Sequence, residues 1–139
     1  MKRFTAIALL ALPGLLMAGN NLSAQDRQVQ ASIPFAFRVG NAPLPAGTYR
    51  ISKSDNGIIT VANYAHPSLR VFTMTSETTS TDRGAGKLIF NKYGDQYFLS
   101  RVLAPSSMTV VVPTSKLEKR ARTETARLGY GGTVLLALK

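Results

Sequence analysis

The chain has 139 residues, and its 17 lysines and arginines against 7 aspartates and glutamates give a formal net charge of +10 at pH 7. It contains no cysteine, which excludes disulfides, thiolate nucleophiles and cysteine metal sites. One histidine and a few scattered carboxylates argue against a metal centre, because metal ions need several converging ligands.

The N-terminus has the order of residues found in secretory signal peptides. Lys2 and Arg3 form a short positive region, an almost unbroken apolar run covers 6–18, and small and polar residues follow. The apolar run is too short to cross a hydrocarbon core of about 30 Å as a helix. We therefore predict a signal peptide over 1–24 and one exported β-rich domain over 25–139, located in the periplasm or the medium.

The first part of the predicted domain alternates between apolar and polar residues. The segment 28–40, QVQASIPFAFRVG, has the period of two that predicts a half-buried strand. Pro34 lacks a backbone N–H, which is typical of an edge strand or a bulge. The apolar face of this predicted strand consists of Val29, Ala31, Ile33, Phe35, Phe37 and Val39.

Turn residues divide the following segment into short strands. Pro45-Ala46-Gly47 and Asn56-Gly57 are typical of tight turns, and the second pair is a strong hairpin signal. The polar segment 76–86 has no periodicity and is predicted to be the longest loop. The strands predicted from these signals cover 48–52, 58–63, 68–75 and 108–112.

The segment 87–102, KLIFNKYGDQYFLSRV, predicts a hairpin around Gly94-Asp95. A two-residue loop keeps one apolar face intact, and a three-residue loop would split that face, so the pattern favours the shorter loop. The predicted pairs are Lys92 with Tyr97, Asn91 with Phe98, Phe90 with Leu99, Ile89 with Ser100 and Leu88 with Arg101. The predicted buried face consists of Leu88, Phe90, Tyr97 and Leu99.

After Pro113 the pattern changes to that of a helix, predicted at about 115–128. Ser115 followed by Glu118 has the spacing of a reciprocal helix cap, and Gly129 is a typical helix end. The predicted buried stripe of the helix is Leu117, Ala121 and Leu128. The segment 133–138, TVLLAL, is apolar on both faces and predicts a last strand in a central or barrel-closing position.

Together these elements predict a mainly β fold. We expect a small antiparallel barrel or sandwich of seven or eight strands, with one helix in the C-terminal region followed by the last strand.

Several segments resemble an uncharacterised family of small exported proteins common in acidobacterial genomes. The segments are IPFAFRVG, LPAGTYRI, KLIFNKYGDQYFLSRV and PTSKLEKR, in that order after the signal-like N-terminus. The resemblance covers most of residues 29–120 and implies no catalytic residue. This chain departs from the family pattern at Asn91, where a histidine is frequent, and at Arg101, where an acidic residue is.

No catalytic, cofactor-binding or metal-binding constellation emerges from the sequence. GAGK at 84–87 lacks the distant glycine and the hydroxyl residue of a phosphate-binding loop, since Thr81 and Leu88 stand in those places. We therefore expect no bound nucleotide and no cofactor. His66 leaves open a hydrolase-like enzyme of unrecognised type, although a serine triad would need a carboxylate to hold its histidine.

The clustered positive charge is the main functional signal. Clustered cations attract anionic partners through a salt-sensitive field, so we expect a non-enzymatic exported domain that binds an anionic or hydrophobic partner. The anionic candidates are lipid headgroups, acidic polysaccharide and extracellular nucleic acid. The same charge is also typical of a solvated helix face that only keeps a protein soluble. A structural envelope component that self-associates through the Pro34 edge strand is the remaining alternative. The candidate surface on the predicted helix consists of Lys116, Lys119, Arg120, Arg122 and Arg127.

Overall fold

The computed structural model describes residues 27–77, 86–105 and 109–138, without the side chains of Arg27 and Glu77. These residues form eleven strands and one helix. The elements are β1 (Arg27–Ile33), β2 (Phe37–Val39), β3 (Ala42–Leu44), β4 (Gly47–Lys53), β5 (Ile58–Asn63), β6 (Arg70–Met74), β7 (Ser76–Glu77), β8 (Lys87–Tyr93), β9 (Gln96–Leu103), β10 (Thr109–Val111), α1 (Lys116–Leu128) and β11 (Gly131–Ala137).

The strands form two sheets, which confirms the predicted mainly β fold. The first sheet has the antiparallel order β1-β4-β5-β6, and the second has the order β11-β8-β9-β10-β7. The β2–β3 hairpin joins the second sheet through one parallel pairing of Arg38 with Phe98. Within the described residues the sheets do not close into a barrel, and the arrangement is sandwich-like.

One core lies between the sheets, and aromatic rings connect the two sides. The Phe37 ring meets Tyr49 of the first sheet edge-on at 5.0 Å and Phe90 of the second at 5.5 Å, centroid to centroid. Phe35 meets Phe90 edge-on at 5.2 Å and stacks on Tyr97 at 4.0 Å. These five residues form an aromatic cluster that joins the two sheets, because the Phe37 ring contacts rings of both.

The alternating segment 28–40 is two strands, and the prediction of one continuous strand was wrong. The chain pairs with β4 up to Ile33, leaves the first sheet at Pro34, and enters the second sheet at Phe37. Proline cannot donate to a strand ladder, so this is where the pairing ends. The predicted apolar face is confirmed on both sides of Pro34. Ala31, Ile33, Phe37 and Val39 are buried, and Val29 and Phe35 pack against the core.

The other early strands agree with the sequence except at their ends. Strand β5 has the predicted bounds, and β6 is shorter than the predicted 68–75. Ser76 and Glu77, predicted to begin a long loop, instead form β7 and pair with β10. Residues 78–85 of that predicted loop lie outside the described residues.

The β8–β9 hairpin confirms the two-residue Gly94-Asp95 loop, since Tyr93 pairs with Gln96. The pairs predicted for Lys92, Asn91 and Phe90 are also confirmed. A bulge between Ile89 and Phe90 then shifts the register. Beyond it Ile89 pairs with Arg101 and Leu88 with Val102, so the predicted pairs for these two residues were wrong. Leu88, Phe90 and Leu99 are buried as predicted, and Tyr97 is half-buried under Phe35.

Helix α1 begins and ends where the sequence predicts, but it buries a different face. The Ser115 hydroxyl accepts a hydrogen bond from the Glu118 backbone N–H at 3.1 Å, and Gly129 ends the helix in the left-handed conformation. The buried residues are Glu118, Ala121 and Thr125, whereas Leu128 is 69% exposed and Leu117 is only half-buried. The predicted stripe was therefore correct at Ala121 alone.

Strand β11 lies at an edge of the second sheet, not in a central or closing position. It pairs with β8 along its whole length, from Gly131 opposite Tyr93 to Ala137 opposite Lys87. Within the described part of the chain β8 is its only strand partner. Leu135 points away from the core and is 59% exposed. The second apolar face, which had suggested a central strand, therefore lies partly in solvent.

Candidate functional site

Four of the five predicted surface cations share one face of α1. At about 100° of rotation per residue, Lys116, Lys119, Arg120 and Arg127 fall within an arc of about 100°. This arc is opposite the buried face of the helix, and all four side chains are exposed. We call these four residues the basic face.

Arg122 does not belong to the basic face. It lies about 60° beyond Lys119 on the helix, toward Glu118 and the second sheet. Its positive charge lowers the pKa of Tyr93 of β8, in keeping with this orientation. The structure therefore divides the predicted set of five into a face of four and one flanking arginine.

Two clefts adjoin the basic face. One, of ≈ 410 Å³, runs along the helix and is lined by Lys119, Arg120, Thr123, Glu124 and Arg127. The other, of ≈ 340 Å³, lies where α1 meets the turn between β2 and β3, and Asn41, Lys116, Leu117 and Arg120 line it. Arg120 lines both clefts, so the two form neighbouring recesses beside the same cations. The single carboxylate in them is that of Glu124.

A buried polar contact fixes the helix on the sheet. Glu118 is 4% exposed, and its Oε1 accepts a hydrogen bond from Asn91 Nδ2 of β8 at 2.9 Å. The sequence suggested that the Glu118 side chain would cap the helix, but its carboxylate reaches the sheet instead. Burial of a polar side chain is tolerated when it is hydrogen-bonded. This contact orients α1 so that the basic face points away from the sheet.

Tyr93 is close enough to this contact for the charge of Glu118 to change its pKa. Burial is the main reason that the pKa of Tyr93 is raised from its ordinary value of 10.0, and the negative charge of Glu118 raises it further. The positive charge of Arg122 partly offsets these effects. No signal in the sequence connected Asn91, Tyr93 and Glu118, because they come together only when α1 packs on β8.

The raised pKa of Tyr93 predicts a loss of stability in alkaline solution. The folded state favours the neutral phenol, so this contribution is fully present below pH 10.0 and is lost as the pH rises through the folded-state pKa. We expect the free energy of unfolding to fall less steeply above pH 10.0 in Tyr93→Phe than in the unchanged protein. Urea unfolding over a pH series measures this, with exposed Tyr130→Phe as the matched control. Equal slopes for Tyr93→Phe and the unchanged protein would contradict the prediction.

The other residues considered from the sequence lie apart from the basic face. His66 is exposed in the connection between β5 and β6, where its backbone N–H donates to Asn63 Oδ1 at 3.0 Å. It lines neither of the clefts on the helix. Lys87 of the GAGK segment begins strand β8, not a helix, and Pro34 lies at the end of the edge strand β1.

A cluster of metal ligands and a membrane-spanning helix are both absent from the described residues. Among residues 27–77, 86–105 and 109–138, no three histidine or acidic side chains come close enough together to hold a metal ion. In the same ranges, no helix has both the length and the apolar character needed to cross a membrane. The predicted signal peptide over 1–24 lies outside the described residues.

Comparison with protein families, with curated proteins and with solved structures finds no significant match to this chain.

Proposed function

We propose that this protein is an exported, non-enzymatic β-domain that binds an anionic partner of the cell envelope or its surroundings through the basic face of α1. The observation that carries the proposal is the convergence of Lys116, Lys119, Arg120 and Arg127 on one exposed face. Anionic lipid headgroups and acidic polysaccharide are the partners whose charge complements this face.

The acidic residues of the helix support this reading. Glu118 is buried against Asn91, so its charge is directed away from the basic face. Glu124 lies about 40° outside the arc, beyond Arg120, and is the only carboxylate in the two clefts. The surface opposite the sheet is therefore dominated by positive charge along the length of the helix.

The number of cations on the basic face limits how tightly one copy of the domain can bind an anionic surface. A cation near an anionic surface contributes about 1 kcal/mol, so the basic face contributes about 4 kcal/mol. This corresponds to a Kd of about 1 mM for one copy of the domain. Binding through this face is therefore weak and reversible, and it favours partners that present many charges.

A titration of the purified protein with vesicles tests the proposal. We expect binding to vesicles that contain anionic phospholipid, no binding to zwitterionic vesicles, and a steep loss of binding with added salt. The salt effect follows from the Debye length, which falls from about 30 Å at 0.01 M to about 8 Å at 0.15 M. A parallel titration with an acidic polysaccharide identifies which partner class is preferred. Equal binding to both vesicle types, or binding to neither vesicles nor polysaccharide at low salt, would refute the proposal.

A further inference from the structure

The edges of the two sheets are protected unequally. Natural sheets discourage pairing with other chains by placing charges, prolines or very short strands at their edges. Within the described residues, β1 is followed by Pro34, β6 contains Arg70, β3 contains Pro43, and β7 has only two residues. Four of the five edge strands therefore carry such a feature.

Strand β11 carries none. Its seven residues, GGTVLLA, include no charge and no proline, and its side chain at Leu135 is 59% exposed. An extended apolar edge of this kind is a template for pairing with another strand.

The hydrogen-bond pattern shows which backbone groups of β11 point away from β8, its only strand partner within residues 27–77, 86–105 and 109–138. The Leu138 N–H donates to the Gly86 carbonyl at 2.9 Å, and the Gly94 N–H donates to the Tyr130 carbonyl at 3.2 Å. Hydrogen-bonded pairs recur at every second residue of an antiparallel ladder, so the even-numbered residues of β11 bond to β8. The N–H and C=O groups of the odd-numbered residues therefore point away from β8, and these residues are Gly131, Thr133, Leu135 and Ala137.

We propose that β11 pairs antiparallel with β11 of a second copy of this chain. A two-fold axis beside Val134 places Gly131 of one copy opposite Ala137 of the other, and Thr133 opposite Leu135. All four outward residues of each strand then find partners, giving four residue pairs with two hydrogen bonds each, or about eight hydrogen bonds. The two Leu135 side chains become diagonal neighbours about 7–8 Å apart, which covers part of their exposed surface.

Two further features favour a second copy as the occupant. The edge is self-complementary, because its outward row has no proline that would lack a donor and no charge that would meet a like charge when a two-fold axis pairs the row with itself. Gly131 and Gly132 have no positive φ, and a Cβ added to either would meet no atom within 4 Å. The packing of the single chain therefore does not require these glycines, whereas glycine in a strand is suited to the close approach of another backbone.

The pairing has a consequence for the basic face. Residues paired across an antiparallel ladder lie on the same face of the sheet, so both α1 helices lie on one side of the joined sheet. The two basic faces then point in the same direction and can contact one anionic surface together. The pairing itself rests on β11 alone and does not depend on the proposed function.

Sedimentation velocity of the purified protein over a range of concentrations tests the pairing. We expect a dimer, and we expect Leu135→Lys to raise the dimer Kd about 5-fold, because it replaces an apolar diagonal pair by two like charges near each other. Phe72→Lys is the matched control, because Phe72 is an equally exposed apolar residue on a strand of the first sheet. The control should dimerise like the unchanged protein. A monomer at all concentrations, or equal weakening by both substitutions, would overturn the proposal.

Amide hydrogen exchange of the unchanged protein tests the same pairing without any substitution. The amides of Thr133, Leu135 and Ala137 should be protected at high concentration and should lose protection on dilution. The amides of Val134 and Leu136 should be protected throughout, because they bond to β8 within one chain. A dimer in which the odd-numbered amides exchange rapidly would place the interface elsewhere and overturn the proposal.

Discussion

Replacing Lys119, Arg120 and Arg127 together by glutamate is expected to weaken binding to anionic vesicles by about 100-fold or more. Loss of three cations, each contributing about 1 kcal/mol near an anionic surface, amounts to about 3 kcal/mol, and the three new negative charges add repulsion. All three side chains are exposed and lie opposite the buried face of α1, so the helix should stay folded on the sheet. Vesicle co-sedimentation at low salt measures the loss, and circular dichroism checks the fold.

A second triple variant separates the location of the charges from their number. Arg50, Arg70 and Arg101 are also exposed, and reversing them changes the net charge by the same amount while leaving the basic face intact. This control should bind anionic vesicles much more tightly than the triple variant on α1. Equal losses in the two variants would show that total charge, and not the basic face, governs binding.

Truncating Phe90 to alanine is expected to cost about 3–5 kcal/mol of unfolding free energy. Phe90 is completely buried, and its ring contacts both Phe35 and Phe37, so alanine would leave a cavity where the two sheets meet. A domain of this size has a stability of about 5–15 kcal/mol, so this one change removes a large share of it. Urea unfolding with an unchanged m value measures the effect.

Phe72→Ala is the matched control for the core variant. Phe72 is 62% exposed, and the Arg70 guanidinium lies 5.8 Å from the centroid of its ring. An exposed cation–π contact contributes about 0.5–1 kcal/mol and the ring is mostly in solvent, so this variant should lose much less than Phe90→Ala. If Phe90→Ala cost as little as Phe72→Ala, the aromatic cluster would not be what joins the sheets.

Local chemistry in the sequence was sufficient for features that depend on neighbouring residues. Ser115 and Gly129 mark the ends of α1 because capping hydrogen bonds and a left-handed C-cap involve residues only a few positions apart. Gly94-Asp95 predicted the hairpin loop because two-residue turns need residues that tolerate unusual backbone angles. The apolar alternation of 28–40 predicted the inward face even though the chain changes sheets within it.

Features that depend on distant partners were not predictable in this way. The segment 28–40 divides between two sheets because the residues before Pro34 pair with β4 and those after it pair with β3. The bulge at Ile89/Phe90 places buried Leu88 opposite buried Val102, where the register set by the turn would have placed exposed Arg101. The position of β11 at an edge depends on the other strands of the sheet, and an apolar run has the same appearance in the centre and at an unprotected edge.

The candidate surface shows the same division between what is local and what is tertiary. The sequence by itself determined that a capped helix would carry five cations, because composition and helix ends are properties of one short segment. Helical spacing also places four of them on one face. Only the tertiary structure decided that this face is exposed, because the Glu118–Asn91 hydrogen bond fixes how α1 is rotated on β8. That rotation directs Lys116, Lys119, Arg120 and Arg127 away from the sheet and leaves Arg122 on the flank of the helix near Glu118. A helix can bury any of several faces of similar apolar content, and the choice depends on the surface against which it packs.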